Sequence, residues 1–497
     1  MSTINIEGLK IFYDEVKKIL NKKAETSHSH TYDELLNKND YKYYGVRFVD
    51  NGTDFEATRL GLAKDATISE DSSTQDDLGN TITKKVSSFD NFYPWSKMRR
   101  VIVDNNLTVV DYFGSDTYDD TLSSNGYAPH THAVMVEIPK FYSKTNIKTV
   151  EGKQEIEVLI SEEAIPGFEV DPMFLKGNPD GLITECNYVY VRAFEGVLCK
   201  KADGTFPFVD VKEDESNKAR ENTDFAWGQQ EVTDTNLYLL TSVNAKNKQA
   251  PVTSTNMSNF RKMAEARSVS KFFTQHTFNV QSGITKLFMV EFASMNIQQV
   301  LGDGVSTLGW RTINDAMTTG FTSQLGNASG NVAVQGVKRG SEKTYTIKVP
   351  SYRGMENLYG NVWKFTEGAK TGRAGQIKYG VYNPYLVNEY NKYDDNTFGK
   401  QKETIKVFDG NGSGYWKTFL DNSNLIPKIY QDSDNVLGGS ATKYHGDYVW
   451  FNTGGGQILL VGGRWVYGSS CGLFCSHWSS SFSSSYLDIG ASLVASK

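Results

Sequence analysis

The chain of 497 residues is long enough for several domains with hydrophobic cores of their own. A formal net charge of -6 and a pI near 5.8 argue against a nucleic-acid-binding protein, which would carry a basic stripe. No apolar run is long enough to predict a membrane span, and no basic-then-apolar leader predicts secretion, so a protein acting outside a cell would leave by another route, such as lysis.

The N-terminal segment predicts the clearest helix of the chain, over residues 6–23. Apolar residues recur there at steps of three and four, which places them on one stripe. That stripe would dock on its own domain or associate with copies of itself as a short coiled coil, and we favour self-association.

A histidine pair, His28 and His30, follows the predicted helix directly. Side chains two apart on an extended segment point to the same side. Three chains around an axis would bring six imidazoles together, a shell that suits a transition metal such as iron or zinc. The alternative is a solvated polar linker.

The segment after the histidine pair is predicted to form a small β-rich connector over residues 46–126. Short apolar pieces at 100–103 and 108–110 are typical of strands, whereas the polar run from Ser69 to Gly79 is typical of an exposed loop. Further strands are predicted at 134–142, 155–161 and 187–194. Helices are predicted at 258–268 and 285–301, and Gly-rich loops follow to the C-terminus.

Serine and aromatic residues alternate in an unusual block near the C-terminus. Nine of the seventeen residues from Ser469 to Ser485 are serine, yet large apolar groups stand among them. A disordered serine tract would lack those groups. Tyrosine and tryptophan supply rigid contact area and serine supplies adaptable hydrogen bonding, so the block favours a recognition surface. The candidate contact residues are Arg464, Trp465, Tyr467, Ser469, Ser470, Phe474, His477, Trp478, Phe482 and Tyr486. For the aromatic members, packing in a core is the competing interpretation. Trp363 and Trp450 lie in apolar runs and are assigned to the core.

Three blocks in this order resemble one family. The segment 352–365 contains Gly360-Asn361-Val362-Trp363, the segment 462–465 reads Gly-Gly-Arg-Trp, and 488–494 has the pattern of a closing strand. They resemble the C-type lectin fold of the formylglycine-generating-enzyme type, and more closely the phage tail proteins of that fold, including variable tropism determinants diversified by reverse transcription. The resemblance covers roughly residues 127–497. The helix with its His-Ser-His segment separately resembles trimeric, metal-threaded tail-fibre shafts.

Together, the patterns and the resemblance predict an α+β, β-rich chain in three parts. Residues 1–45 are a helical trimerisation and attachment segment, 46–126 a connector, and 127–497 a C-type lectin-like receptor-binding domain. The resemblance implies a homotrimer on the baseplate or tail tip of a phage or tail-like particle, which binds a protein or glycan receptor on a bacterial surface. The net charge predicts no nucleic-acid partner, and the lack of a long apolar run predicts no membrane insertion.

Two enzymatic hypotheses stand beside recognition. The family's namesake is a copper-dependent oxidase that uses two cysteines, but the spacing of Cys471 and Cys475 differs from that family pattern. A tail-associated polysaccharide depolymerase would need two carboxylates about 5 to 10 Å apart, and no sequence cluster favours one. A purely structural tail or baseplate protein is the remaining alternative.

Overall fold

The computed structural model describes most of the chain from residue 41 onward. The described ranges are 41–122, 126–207, 234–244, 251–307, 316–337, 344–372, 375–387, 403–406, 411–421, 425–428 and 438–497. The helix predicted at 6–23 and the pair His28 and His30 lie outside these ranges.

The described residues are rich in strand. Thirty strands are numbered in chain order: β1 Tyr44–Asp50, β2 Phe55–Gly61, β3 Ile68–Gln75, β4 Thr81–Ser87, β5 Arg99–Asp104, β6 Val109–Tyr112, β7 His132–Pro139, β8 Tyr142–Val150, β9 Lys153–Ser161, β10 Glu169–Val170, β11 Leu175–Gly177, β12 Ile183–Glu185, β13 Tyr188–Arg192, β14 Val197–Lys200, β15 Tyr238–Thr241, β16 Phe273–Gln275, β17 Gly330–Val337, β18 Thr344–Tyr352, β19 Met355–Glu356, β20 Trp363–Thr371, β21 Gln376–Tyr379, β22 Glu403–Lys406, β23 Gly412–Tyr415, β24 Thr418–Phe419, β25 Pro427–Lys428, β26 Tyr448–Phe451, β27 Gln457–Gly462, β28 Gly472–Ser481, β29 Ile489–Gly490 and β30 Leu493–Ser496. The α-helices are α1 Met257–Glu265, α2 Phe278–Phe292 and α3 Ile297–Leu301.

Four larger sheets organise these strands. One five-stranded sheet has the order β10-β8-β9-β1-β2, and a second has β19-β18-β17-β4-β3. A six-stranded sheet runs β16-β30-β13-β7-β5-β6, so the last strand of the chain lies in its interior. An eight-stranded sheet runs β22-β21-β20-β27-β28-β26-β23, and β29 pairs with β20 beside this path.

Helix α2 is the buried centre of the largest core cluster. Thr277 caps it by accepting a hydrogen bond from the N–H of Val280. Ile284, Leu287 and Phe288 are fully buried in the same cluster as residues of β9 and β27. A helix that is apolar on more than one side must be enclosed, because no face of it favours water.

The predicted strands of residues 100–103, 155–161 and 187–194 are confirmed as β5, β9 and β13. The strand predicted at 134–142 ends at Pro139, and β8 begins at Tyr142. The helix predicted at 258–268 is α1. The one predicted at 285–301 is two helices, α2 and α3, because Ala293 takes a left-handed conformation with a φ of 48° and ends α2.

The segment 46–126, predicted as a small β-rich connector, shares its sheets with later parts of the chain. Strand β1 pairs with β9, β4 pairs with β17, and β5 pairs with β7. Backbone groups of these strands find their partners in later parts of the chain, so the segment is built into the sheets of the main body.

The prediction of an exposed loop at Ser69 to Gly79 is wrong over most of its length. It contains β3, an edge strand that pairs with β4 and exposes most of its side chains. The polar composition of this strand gave no signal in the sequence. An edge strand with solvent on both faces does not need apolar residues at alternate positions.

A hub of buried charged and amide groups, built on residues 353–364, connects three sheets. Arg192 of β13 donates to the carbonyl oxygens of Glu356 and Asn357 and to the Ser492 hydroxyl. The carboxylate of Glu356 accepts from the N–H groups of Gly320 and Thr322 at 2.7 and 2.8 Å. These partners come from three separate stretches of chain, at residues 320–322, 356–357 and 492.

The eight-stranded sheet joins the hub through Lys364 and Asn361. The Lys364 ammonium lies 3.4 Å from a carboxylate oxygen of Glu195, and the Asn361 amide donates to the same carboxylate. Asn361 also accepts from the N–H of Met317 at 2.8 Å. Its φ of 57° is a conformation that asparagine tolerates better than most residues. Burial lowers the pKa of Lys364 to about 8, although Glu195 opposes that shift.

A second buried ion pair joins α1 to β20. Arg261 and Glu367 form two parallel hydrogen bonds of 2.8 Å, and both side chains are completely buried. Gln275 donates to the same carboxylate at 3.1 Å. Removing only one member of such a pair leaves a charge without compensation in a region that water does not reach.

We therefore predict that Arg261→Met destabilises the protein by about 3–5 kcal/mol. The free energy of unfolding, measured by urea denaturation of the full chain, checks this value. Lys148→Ala breaks the exposed pair with Glu155 and is the matched control, with an expected loss below about 1 kcal/mol. Equal losses in the two variants would contradict the assignment, and Arg261→Met combined with Glu367→Leu should recover part of the loss.

Candidate functional site

Aromatic side chains line one face of the eight-stranded sheet. Tyr448 and Trp450 lie two apart on β26, so they point to the same side. Trp450 is directly opposite His477 of β28, and Tyr448 is opposite Tyr415 of β23. Directly opposite partners share a face, so these four side chains stand together.

The rings form a continuous series that we call the aromatic ladder: Tyr415, Tyr448, Trp450 and Tyr467. Successive ring centroids lie 5.0, 4.5 and 4.8 Å apart. Trp450 and Tyr467 are stacked, with 26° between their planes. The four rings are half-buried, which leaves part of each one accessible to a partner. Such ring pairs are favourable beyond the area they bury.

A buried tryptophan supports the ladder from below. Trp363 of β20 is 2% exposed, and its ring lies 5.7 Å from Trp450 and 5.7 Å from His477. Trp363 belongs to the core cluster that also contains Phe260 of α1. The ladder therefore rests on packed side chains rather than on loops.

Serine hydroxyls border the rings. The Tyr415 hydroxyl lies 3.1 Å from that of Ser469 and 3.3 Å from that of Ser470. The Tyr448 hydroxyl donates to Ser413 at 3.3 Å. These hydrogen bonds hold the edges of the tyrosine rings in place. The hydroxyls can still form further hydrogen bonds at the surface.

The charges beside the ladder are already compensated. Arg464 forms an ion pair with Asp488, and its guanidinium lies 4.6 Å above the ring of Tyr467. Burial lowers the pKa of His477 to about 4, so its imidazole is neutral at pH 7. A ligand would meet an uncharged surface of rings and hydroxyls.

The expectation that Trp465, Phe474 and Trp478 are exposed is wrong. Their exposed fractions are 5%, 8% and 3%. The predicted loop contains strand β28, in which alternate side chains point to opposite faces. Trp478 and its pairing partner Phe451 pack in the core cluster of α2, while His477 stands on the ladder face. In this structure these three rings therefore offer no contact area.

Separate contacts explain the burial of Trp465 and Phe474. Trp465 belongs to a core cluster with Val305 and Val362, and its N–H donates to the carbonyl of Asn361 at 3.1 Å. The ring of Phe474 contacts those of Trp416, Phe419 and His445. Both residues lie under the surface that they were predicted to form.

The remaining predicted contact residues are at least partly accessible. Arg464, Tyr467, Ser470 and His477 are half-buried at the ladder, and Ser469 is exposed. Phe482 is half-buried with the guanidinium of Arg261 5.1 Å from its ring, and Tyr486 is 58% exposed. Receptor contact by these residues stays a prediction.

Sequence reasoning missed Tyr415 and Tyr448 and assigned Trp450 to the core. One local signal was available, the aromatic residues at 448 and 450 in the run Tyr-Val-Trp-Phe, which places both rings on one face of a strand. Tyr415 gave no comparable signal, because its place depends on the pairing of β23 with β26.

The cysteines of the block are buried thiols. Burial raises the pKa of Cys471 to about 12 and that of Cys475 well above its usual range. Metal binding and nucleophilic attack both require the thiolate. At neutral pH, these residues are therefore poorly suited to the chemistry of a cysteine oxidase.

Carboxyls with a raised pKa are held inside the core. Burial raises the pKa of Glu356, Glu367 and Asp447. Each one faces backbone N–H groups or a guanidinium, and each is 0–1% exposed. A glycan-cleaving acid must reach its substrate, so these three groups have structural positions.

No helix in the described part of the chain is long and apolar enough to cross a membrane. The described residues also contain no group of three or more His, Cys, Asp or Glu side chains that could hold a metal ion.

Comparison with known proteins gives matches among solved structures. No protein-family model and no curated protein matches the sequence. The chain is similar to the Major Tropism Determinant M1 variant, with 14% identity, coverage of 80% of this chain and 71% of that chain, and a TM-score of 0.25. The P3c variant gives 12% identity, coverage of 80% and 72%, and a TM-score of 0.26.

The burial of His477 predicts a pH effect on stability. A histidine in an unfolded chain titrates near pH 6.5, whereas this one titrates at about 4 in the fold. Between these values the unfolded chain binds the additional proton. The contribution of neutral His477 to the free energy of unfolding is therefore fully present above about pH 6.5 and is lost as the pH falls towards 4.

Lowering the pH from 7 to about 4.5 decreases the free energy of unfolding. We predict that this decrease is about 2 kcal/mol smaller in His477→Gln than in the wild type. Urea denaturation at the two pH values measures this difference. Ser413→Ala, which changes a hydroxyl on the same face and no titratable group, is the control. Identical losses in the wild type and in His477→Gln would show that this imidazole is not responsible.

Proposed function

We propose that the protein is the receptor-binding protein of a phage tail or a tail-like particle. It attaches the particle to a molecule on a bacterial surface by non-covalent recognition, and no bond is made or broken. The receptor contacts the aromatic ladder together with Arg464, Ser469, Ser470 and His477, and Tyr486 adds an exposed ring.

The half-buried ladder is the observation that carries this proposal. Aromatic rings bordered by hydroxyls combine rigid apolar area with hydrogen-bonding groups, which is the composition of protein recognition surfaces. The neutral His477 and the compensated Arg464 avoid the cost of removing water from an unpaired charge. Strands β23 and β26 present three of the rings, and Tyr467, in the turn between β27 and β28, is stacked on Trp450, so little ordering is needed on binding.

The particle assignment is supported by the sequence resemblance of residues 127–497 to phage tail proteins with a C-type lectin fold. Residues 1–45 would hold a homotrimer and attach it to tail or baseplate proteins. His28 and His30 from three chains would bind iron or zinc at the axis. Three linked receptor sites would raise a modest affinity of each one through effective concentration.

Removing single rings from the ladder tests the receptor surface. We predict that Tyr415→Ala and Tyr448→Ala each weaken retention on receptor-bearing cells about tenfold, which corresponds to about 1.4 kcal/mol for one aromatic contact. Tyr112→Ala removes a ring that is 45% exposed on β6, outside the ladder, and should leave retention unchanged. Labelled full-length protein is incubated with a panel of bacterial cells and cell-wall fractions, and the retained fraction is measured.

The same incubation separates recognition from the competing functions. Retention without released sugar supports the proposal. Released sugar without lasting retention would identify a depolymerase, and a lack of retention across the panel would favour a structural tail protein. Equal loss in Tyr112→Ala and the ladder variants would place receptor contact elsewhere on the molecule.

A further inference from the structure

A cavity at the N-terminal end of α2 has the features of an anion site and shares no residue with the aromatic ladder. Its volume is about 60 Å³, and its walls come from β11, from residues 270–280 and from residues 382–385. No aspartate or glutamate is among the described residues that line it. Ser270 at its rim is exposed, and Lys176 and Asn178 are half-buried there, which gives a solute a way in.

The start of α2 directs backbone donors at this cavity. The helix has 15 residues, and the first N–H groups of a helix have no partners within it. Thr277 satisfies the N–H of Val280 at 3.2 Å. The N–H of Asn279 has no acceptor among the described residues. The positive end of the helix dipole therefore lies at the cavity wall, where it favours an anion.

The side chain of Asn279 is the second, independent observation. It is 9% exposed, lines the cavity and forms no hydrogen bond with the described residues. The hydroxyl of Thr274, on the same wall, is buried and also lacks a partner. Buried polar groups are almost always hydrogen-bonded. The Thr274 hydroxyl is one such group, and the carboxamide of Asn279 beside it on the cavity wall also has no partner, which indicates a ligand that completes them.

Positive charge at the cavity comes from two lysines. Lys271 donates to the carbonyl of Pro384 at 2.9 Å and lies 3.4 Å from the carboxylate of Glu265, so part of its charge is compensated. Lys176 has neither a hydrogen bond nor an ion pair within the described residues. Lys176 therefore supplies a charge that is available to a ligand.

The opposite wall is held in place before any ligand arrives. Asn383 donates to the carbonyl of Asn178 at 3.0 Å and accepts from the N–H of Tyr385 at 3.0 Å. It packs so closely on Gly177 that a Cβ there would lie 2.4 Å from the Asn383 Cβ. Only glycine allows this approach, which makes the cavity a preformed feature of the fold.

We propose that this cavity binds a phosphate group. The donors are a backbone N–H, a carboxamide, a hydroxyl and an ammonium, and they lie on more than one wall. A carboxylate offers two oxygens in one plane, whereas a phosphate offers three or four in a tetrahedral arrangement, which fits donors that converge from different sides. The phosphate would be a free ion or part of a phosphodiester polymer.

Titration of the full-length protein with inorganic phosphate tests the site. Binding is measured by calorimetry at constant ionic strength. We expect saturable binding in the wild type and binding that is about tenfold weaker in Lys176→Gln and in Asn279→Leu. Lys153→Gln changes an exposed lysine in the β8–β9 hairpin and should bind as the wild type does. Thermal unfolding of each variant without phosphate shows whether it folds. If Asn279→Leu does not, Thr274→Val takes its place.

Further titrations identify the ligand class. Binding of a glycerol phosphodiester with the same dependence on Lys176 would assign a polymer, and binding of inorganic phosphate alone would assign the free ion. Either result supports the site. The proposal is overturned if phosphate does not saturate, if Lys153→Gln weakens binding as much as Lys176→Gln, or if acetate binds as tightly as phosphate. None of these outcomes depends on receptor binding by the aromatic ladder.

Discussion

The fold depends on the satisfaction of charged groups that are completely removed from water. Arg192, Glu195, Glu356 and Lys364 come from separate parts of the chain, and each one finds its hydrogen-bonding partners only when three sheets have assembled. An ionised group left unpaired in such a place is far more costly than a missing apolar contact. The hub therefore favours one arrangement of the sheets over near alternatives that would bury the same apolar area.

The position of the candidate site follows from that arrangement. Strand β20 leaves the hub at Trp363, and the ring of Trp363 supports Trp450 and His477. The rings of the ladder thus have a packed layer beneath them and strands on both sides. A site carried by sheet strands holds its geometry more closely than one carried by long loops.

Local patterns in the sequence were enough for much of the fold but for less of the site. The apolar run at 100–103 and the alternation at 187–194 predicted β5 and β13, and the structure buries both faces of each strand. The serine-rich strand β28 was not predicted, because serine occurs on both of its faces and does not distinguish the buried face from the accessible one. The burial of Trp478 and the position of its neighbour His477 on the ladder face follow once the strand is known. The place of Tyr415 could not be predicted, because it depends on pairing between segments distant in the chain.

Parallel pairing of β26 and β28 also limits how this surface can change. In β28, His477 and Ser479 are half-buried, while Ser476 and Trp478, which alternate with them, are buried. Substitution of His477 or Ser479 changes the surface that a ligand contacts. Substitution of Ser476 or Trp478 changes the interior. Chains related to this one should therefore differ mainly at alternate positions from His477 to Ser481, so the strand offers few positions for a new specificity.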